Sequence, residues 1–256
     1  MSEYEHLATS ISGGIATITL DRPPVNVLNL SMMGELNEVM ESLVARADLA
    51  AIVLRANGKA FSAGVDVGDH TAEKVAGMIR LFHGIFRTMA ATDALTIACV
   101  NGAALGGGCE LACFCDIVLA SEKAKFGQPE VQVGVFPPVA AAILPGQVGI
   151  RKAVELVALG ATIRADEALR IGLVSDVYPV EGFDARVDEY LEAIKSLSRP
   201  VVRMAKRATV SPSREQVLAH LAEAERIYLD ELMNIGDAHE GIAAFLEKRS
   251  PQWAHA

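Results

Sequence analysis

The chain has 256 residues, a formal net charge of −9 at pH 7, and hydrophobic residues at 51% of its positions. This length and apolar content suit one large domain, or one domain with an appendage, and exclude a disordered protein. The negative charge argues against nucleic acid as a principal partner, because binding a phosphate backbone requires a basic surface.

The chain shows no pattern typical of export or membrane insertion. Its first ten residues, MSEYEHLATS, lack the apolar core and basic start of a signal peptide. The longest apolar stretch, 131–150, contains Pro137, Pro138 and Pro145, which argue against a membrane-spanning helix. We therefore expect a soluble cytoplasmic protein without a membrane partner.

The cysteines are not arranged as metal ligands. There are four, Cys99, Cys109, Cys113 and Cys115, with no CxxC pair and no neighbouring histidine. Free cysteines are usually buried, so we expect buried thiols and neither a zinc site nor any other metal site.

The first 95 residues alternate between strand and helix patterns. Residues 15–20 (IATITL) and 51–56 (AIVLRA) have strand composition. Ser31 and Thr71 are predicted to be the N-caps of two helices. The apolar faces of these helices are Met33, Leu36, Met40, Leu43 and Val44, then Val75, Met78, Ile79, Phe82, Ile85, Phe86 and Met89. Strands and helices alternating at this spacing indicate parallel βαβ units and an α/β fold.

The stretch 95–130 is the most informative part of the chain. A strand pattern leads through a glycine-rich turn to Glu110, and a polar loop after the next apolar run contains Glu130. Glycines 106–108 let the backbone approach a ligand closely and leave unpaired N–H groups at a helix start, where negative charge is favoured. Two glutamates beside such turns are suited to moving protons on one substrate. We predict an oxyanion site with an acid/base pair of carboxylates.

Other interpretations of these residues remain open at this point. The glycines are also compatible with a tight packing turn, Glu110 with a carboxylate favoured by a helix dipole, and Glu130 with an exposed loop acid. A dinucleotide-binding fingerprint is excluded, because Leu111 occupies the position of its third small residue. His70 and His83, in or beside an amphipathic helix, are expected to have no chemical role.

Beyond residue 131 the pattern is mainly helical. Leu173–Val177 is one further strand candidate. A shift to a purely helical pattern near residue 196 suggests a core at 1–195 and a helical C-terminal region at 196–256. The helix candidates are 149–159, 164–171, 183–197, 200–207, 214–235 and 237–249.

Four ordered motifs resemble the enoyl-CoA hydratase/isomerase (crotonase) family. They are RPPVNVLN at 22–29, FSAGVDV at 61–67, the run from Asn101 to Glu130, and EGIAAFLEKRSPQW at 240–253. The resemblance implies a spiral of ββα units with a helical C-terminal region that serves oligomerisation and CoA contact, assembled as a trimer or a dimer of trimers. It also implies an acyl-CoA thioester substrate, with CoA present only as part of it and no other cofactor.

The resemblance assigns roles to individual positions. It implies that the N–H groups of Val65 and Gly107 form an oxyanion hole. It implies that Glu110 and Glu130 are catalytic, one activating water and the other protonating the enolate carbon. The positions implied to bind substrate or CoA are Ala63, Asp66, Val67, Gly68, Pro138, Phe245 and Lys248.

The sequence departs from the family after Glu130, where PPVAAAILP at 137–145 replaces a glycine-rich loop of the form PGAGGT. Pro138 has no N–H, so backbone donation at that point is lost. The text FPPV at 136–139, with GVDVGDHT at 64–71 and FHGIF at 82–86, resembles cyclohexa-1,5-diene-1-carbonyl-CoA hydratases of anaerobic aromatic degradation. We expect a hydro-lyase acting on a cyclic dienoyl-CoA. The alternatives are a general hydratase of fatty-acid oxidation, an enoyl-CoA isomerase, and a non-catalytic acyl-CoA-binding subunit.

Overall fold

The computed structural model describes residues 4–255, and within them the strands form two sheets. The strands are β1 Leu7–Ser12, β2 Ile15–Leu20, β3 Ala51–Ala56, β4 Ala60–Ser62, β5 Leu95–Val100, β6 Ala103–Leu105, β7 Ile117–Ser121, β8 Lys125–Gly127, β9 Thr162–Arg164 and β10 Asp176–Tyr178. The larger sheet has the order β1-β2-β3-β5-β7-β10 and is parallel except for β1 with β2. The smaller sheet has the order β4-β6-β8-β9 and is parallel except for β8 with β9.

Helices follow the strands and cover the sheets. Short turns of 3-10 helix occupy Val67–Asp69, Pro129–Val133 and Leu232–Asn234, and one turn of π-helix occupies Ile227–Glu231. The α-helices are α1 Leu30–Val44, α2 Val75–Ala91, α3 Gly107–Cys113, α4 Pro138–Val148, α5 Ile150–Leu159, α6 Ala165–Arg170, α7 Phe183–Lys195, α8 Arg199–Arg226 and α9 Gly236–Leu246.

The chain repeats one unit, a strand in each sheet followed by a helix. The sets β3-β4-α2 and β5-β6-α3 have this order, and β7-β8 lead through a 3-10 turn to α4. The expected spiral of ββα units with a helical C-terminal region is therefore confirmed. Strand β3 is buried along most of its length because helices cover both faces of a parallel sheet. The division at residue 196 stays a prediction.

Two predicted N-caps are wrong. Helix α1 begins two residues earlier than expected, because the side chain of Asn29 accepts a hydrogen bond from the N–H of Met32 at 3.0 Å, and Ser31 lies inside the helix. Thr71 instead starts a turn in which its carbonyl accepts from the N–H groups of Lys74 and Val75. Helix α2 then starts at Val75 without a side-chain cap.

Other boundaries also differ from the predicted ones. The two helices expected at 200–207 and 214–235 are one helix, α8, which continues through Pro212. The last strand lies at 176–178 instead of 173–177. The polar loop expected to contain Glu130 begins in a strand of the smaller sheet, β8.

The structure also bears on the expectations about the cysteines and about membrane-spanning helices. All four cysteines are free and buried, as predicted. Across residues 4–255, no helix is both long and apolar enough to cross a membrane.

Candidate active site

The two segments predicted to form the oxyanion hole meet where β4 and β6 end. Leu28 pairs with the loop after β4: its N–H donates to the carbonyl of Gly64 at 2.9 Å, and its carbonyl accepts from the N–H of Asp66 at 3.0 Å. Because backbone groups alternate along an extended chain, the N–H of Val65 points to the opposite side. On that side lies the start of α3: a Cβ built on Gly107 would be 3.4 Å from the nitrogen of Val65.

Gly107 has no room for a side chain. Its added Cβ would lie 2.7 Å from Cγ2 of Val65 and 2.9 Å from Cζ of Phe82. The absence of a side chain lets the backbone of Gly107 approach that of Val65 closely. The structure thus brings together the two residues whose N–H groups the resemblance assigns to an oxyanion hole.

Glu130 lies against the same turn. A Cβ on Gly106, whose φ is +51°, would be 2.6 Å from Oε1 of Glu130. Within residues 4–255, Oε2 of Glu130 is buried and has no hydrogen-bond partner. The prediction of an exposed loop acid is therefore excluded for this residue.

Glu110 is buried, and its carboxylate lies at the N-terminus of α4. Oε1 accepts a hydrogen bond from the N–H of Ala140 at 2.8 Å. Helix α4 begins at Pro138, with Pro137 as an N-cap that makes no side-chain bond, so Glu110 satisfies an N–H that the helix itself leaves free. The missing N–H of Pro138 costs nothing there, because the first residue of a helix has no intrahelical bond to donate.

The two carboxyl groups differ in their surroundings. Burial raises the pKa of Glu110 to about 7, against the opposing effect of the N–H groups of Ala140 and Val139. Burial, followed by the charge of Glu110, raises the pKa of Glu130 well above its usual range. The ionised form of Glu110 is favoured by a backbone N–H, whereas Oε2 of Glu130 has no donor among the described residues, so Glu110 is the more readily ionised of the two.

Both glutamates and both predicted donors line one mainly apolar cavity of about 340 Å³. Ala63, Val67, Pro138 and Phe245, to which the resemblance assigns substrate contacts, also line it, and those contacts stay predictions. The lining comprises Ala63, Gly64, Val65, Val67, His70, Met78, Ile79, Phe82, Gly106, Gly107, Glu110, Pro129, Glu130, Gln132, Val133, Val135, Phe136, Pro137, Pro138, Tyr228 and Phe245.

Three of the predicted binding residues, Asp66, Gly68 and Lys248, do not line this cavity. The side chain of Asp66 accepts from the N–H of Gly68 at 3.0 Å and so caps the 3-10 turn at 67–69. Lys248 is exposed just after α9. The CoA contacts implied for these three residues stay predictions.

Several lining residues were missed from the sequence. Phe136 follows the 3-10 turn, and Tyr228 comes from the π-helical turn after α8, almost 100 residues from Glu130 in the chain. His70 lines the cavity with its Nδ1 3.0 Å from the carbonyl oxygen of Asp66, and burial lowers its pKa, so its imidazole is neutral. Phe136 and His70 lie in stretches that resemble the cyclic dienoyl-CoA hydratases, which could have pointed to them, whereas nothing in the local sequence signals Tyr228.

The cavity has no metal-ligand cluster. Within residues 4–255, three side chains could offer ligand atoms within 4.8 Å of one another: Glu5, His6 and Glu35. None of the three lines the cavity. The cavity contains carboxyl, imidazole, amide and phenol groups with backbone N–H groups, which suit proton transfer and the stabilisation of an oxyanion.

Comparison with known proteins agrees with this geometry. The family model described as enoyl-CoA hydratase/isomerase matches residues 10–256. A probable enoyl-CoA hydratase of Rhizobium meliloti is 40% identical over 255 residues, covering 98% of this chain and 99% of the relative. A cyclohexa-1,5-dienecarbonyl-CoA hydratase of Thauera aromatica is 36% identical over 241 residues, covering 94% and 93%. The crystal structure of an enoyl-CoA hydratase from Mycobacterium avium subsp. paratuberculosis superposes with a TM-score of 0.89 at 27% identity, covering 98% and 100%.

Proposed function

Since the chain belongs to the enoyl-CoA hydratase/isomerase family, we propose that it is a hydro-lyase that adds water to an unsaturated acyl-CoA thioester. The observation that carries the proposal is the pair of carboxyl groups, Glu110 and Glu130, in one cavity beside the N–H groups of Val65 and Gly107. An isomerase that shuttles a single proton needs only one such group.

The environments of the two glutamates suggest their roles. Ionised Glu110, held by the N–H of Ala140, takes a proton from water as the water oxygen attacks the unsaturated carbon. The electron pair moves to the thioester oxygen, where two N–H donors each lower the barrier by roughly 2.7–4 kcal/mol. Protonated Glu130 then gives its proton to the enolate carbon, so that one water has been added and the next cycle needs only proton exchange with solvent.

We propose a cyclic dienoyl-CoA, cyclohexa-1,5-diene-1-carbonyl-CoA, as the leading substrate, which would place the enzyme in anaerobic aromatic degradation. The support is the relative from Thauera aromatica and the apolar cavity wall, to which Phe82 and Phe136 contribute flat aromatic surface. A linear enoyl-CoA of fatty-acid oxidation is the main alternative, because the Rhizobium meliloti relative is named only as a probable enoyl-CoA hydratase.

A mass-spectrometric turnover assay tests both levels of this proposal. Crotonyl-CoA and the cyclic dienoyl-CoA are compared at equal enzyme, with Glu110→Gln and Glu130→Gln alongside the wild type. We expect a gain of 18 mass units, fastest on the cyclic ester, and its loss in both variants while acyl-CoA binding is kept. Turnover by both variants, or incorporation of solvent deuterium without a gain of water, would refute the hydratase mechanism.

We also propose a homotrimer or a dimer of trimers. Helix α5 exposes Ile150, Val154 and Leu159, which are 62%, 54% and 72% accessible in the single chain. Apolar surface of this kind is often covered by a partner subunit. Native mass spectrometry should give a mass of three or six chains, and a monomer would contradict this proposal.

A further inference from the structure

Tyr228 is the least explained polar side chain in the cavity. It is 1% exposed, and its hydroxyl is buried without a hydrogen-bond partner among residues 4–255. A buried hydroxyl left unpaired costs about 1–3 kcal/mol, so such a group usually has a partner that arrives later. Its ring is held by an edge contact with Phe136, with 5.3 Å between the ring centroids.

The backbone around Tyr228 is also unusual. The N–H of Leu232 donates to the carbonyl of Ile227, five residues earlier, so that α8 ends in a single turn of π-helix. Such turns are rare and occur frequently at functional sites, because they change the direction in which one side chain points. Here the turn carries the tyrosine that lines the cavity.

A second unpaired atom belongs to the same cavity. Oε2 of Glu130 is also buried without a partner in the described residues. Both glutamates act on the pKa of Tyr228, which burial and these two carboxyl groups raise. An oxygen atom that both donates and accepts hydrogen bonds is the kind of partner that each of these two groups lacks.

The proposed reaction limits what that oxygen can be. An enoyl thioester carries one polar atom beyond the CoA moiety, the thioester oxygen, and the N–H groups of Val65 and Gly107 are placed for it. The rest of the acyl group is hydrocarbon until water is added. Because Tyr228 is 1% exposed and lines the cavity, its phenol is placed for the part of a ligand that enters the cavity, which we take to be the acyl group.

We propose that the hydroxyl of Tyr228 binds the oxygen that hydration adds to the acyl group, first as water and then as the product hydroxyl. This inference rests on the proposed function. It makes Tyr228 a residue that distinguishes a hydroxylated acyl group from an unsubstituted one. The phenol stays un-ionised throughout and forms no covalent bond.

The test measures binding by calorimetry in the Glu110→Gln background, which prevents conversion of the ligands. Two ligand pairs differ only in the hydroxyl: 3-hydroxybutyryl-CoA with butyryl-CoA, and the hydroxylated product of the cyclic dienoyl-CoA with cyclohex-1-ene-1-carbonyl-CoA. Tyr228→Phe is compared with Tyr190→Phe, which removes a hydroxyl from α7, outside the cavity. We expect Tyr228→Phe to weaken binding of the hydroxylated member of at least one pair by roughly tenfold, with its unsubstituted partner unchanged.

Thermal unfolding supplies the second readout. Because the hydroxyl has no partner among the described residues, Tyr228→Phe breaks no hydrogen bond within the chain and should leave the midpoint unchanged or raise it. Equal weakening of both members of each pair, or no change in either, would overturn the inference, as would a lowered midpoint with unselective loss of binding. Failure of the wild type to hydrate either ester would refute the proposed function while the selective binding result still decides the role of Tyr228.

Discussion

The carboxyl group of Glu130 packs against the α-carbon of Gly106, and no side chain fits between them. A Cβ at position 106 would lie 2.6 Å from Oε1 and 3.3 Å from the carboxyl carbon. The glycine that turns the chain into α3 is therefore also the surface that positions Glu130.

Gly106→Ala tests this contact. The added methyl must push the carboxyl group away, and a displacement of about 1 Å can cost roughly 100-fold in rate. We expect kcat to fall by about that factor with the fold retained. The control is Gly34→Ala within α1, where nothing lies within 4 Å of the new Cβ. It should keep full activity and gain about 0.5–1 kcal/mol in stability.

The raised pKa of Glu110 makes stability depend on pH. Its pKa is 4.5 in the reference state and about 7 in the fold, so the folded protein binds the extra proton between these values. The contribution of this proton to the free energy of unfolding is fully present below pH 4.5. It is lost as the pH rises to about 7, a decrease on the order of 3 kcal/mol. Urea unfolding of Glu110→Gln should show a flatter profile and higher stability than the wild type at pH 8. If the free energy of unfolding changed with pH in the same way in both proteins, the raised pKa of Glu110 would be contradicted.

The hydrogen bond from Ala140 to Glu110 should set the acidic limb of the activity profile. Hydration is expected to fall below about pH 7, because protonated Glu110 cannot accept a proton from water. Ala140→Pro removes the N–H in the first turn of α4, where proline is tolerated, and so favours the protonated form. The acidic limb should then move up by about one to two pH units.

Pro138→Ala is the matched control for Ala140→Pro. It adds an N–H at the first position of α4 without touching the bond to Glu110, so the pH profile should not move. The ratio of cyclic to linear ester turnover reports whether Pro138 shapes the substrate pocket. A shifted pH profile in Pro138→Ala would mean that the helix start, and not the bond from Ala140, controls Glu110.

Lys206 is expected to be essential for stability and not for chemistry. Its ammonium group is nearly buried, 2.7 Å from Oδ2 of Asp116 and 2.7 Å from the carbonyl of Ala94. Lys206→Met removes the cation beside Asp116, but the partly exposed carboxylate still accepts from the N–H and hydroxyl of Thr96, so the cost in chemical denaturation should be about 1–3 kcal/mol. Lys195→Met, which removes an exposed partner of Glu192, should cost much less. Equal costs would show that burial does not strengthen the Lys206 pair.

The parts of the fold predicted correctly have long periodic patterns. The apolar faces of α1 and α2 repeat over several turns, and every apolar position predicted for the face of α2 is buried. The three-residue strands β4, β6 and β8 are too short for any period to show. Helix α4 was missed because its prolines suggest a break, although one of them occupies the first helical position.

Long-range packing explains the remaining errors. Pro212 removes one hydrogen bond from α8, which suggested two helices. The helix continues because side chains on both sides of the proline are held by the core: Lys206 bonds to Ala94, and Arg214 bonds to Thr92 at 3.3 Å. At the site, the turns with Glu110 and Glu130 could be recognised in the sequence as local motifs. Tyr228 is brought to the cavity only by tertiary packing.

The cavity draws its polar groups from two separate parts of the gene. Codons 65–130 specify the oxyanion turn and both carboxyl groups, whereas the codon for the phenol lies in the separate segment that encodes the π-helical turn after α8. Mutations in that segment can therefore change which acyl groups are accepted while the proton-transfer residues stay intact. Recombination within that segment is a route to new substrates that leaves the reaction type untouched.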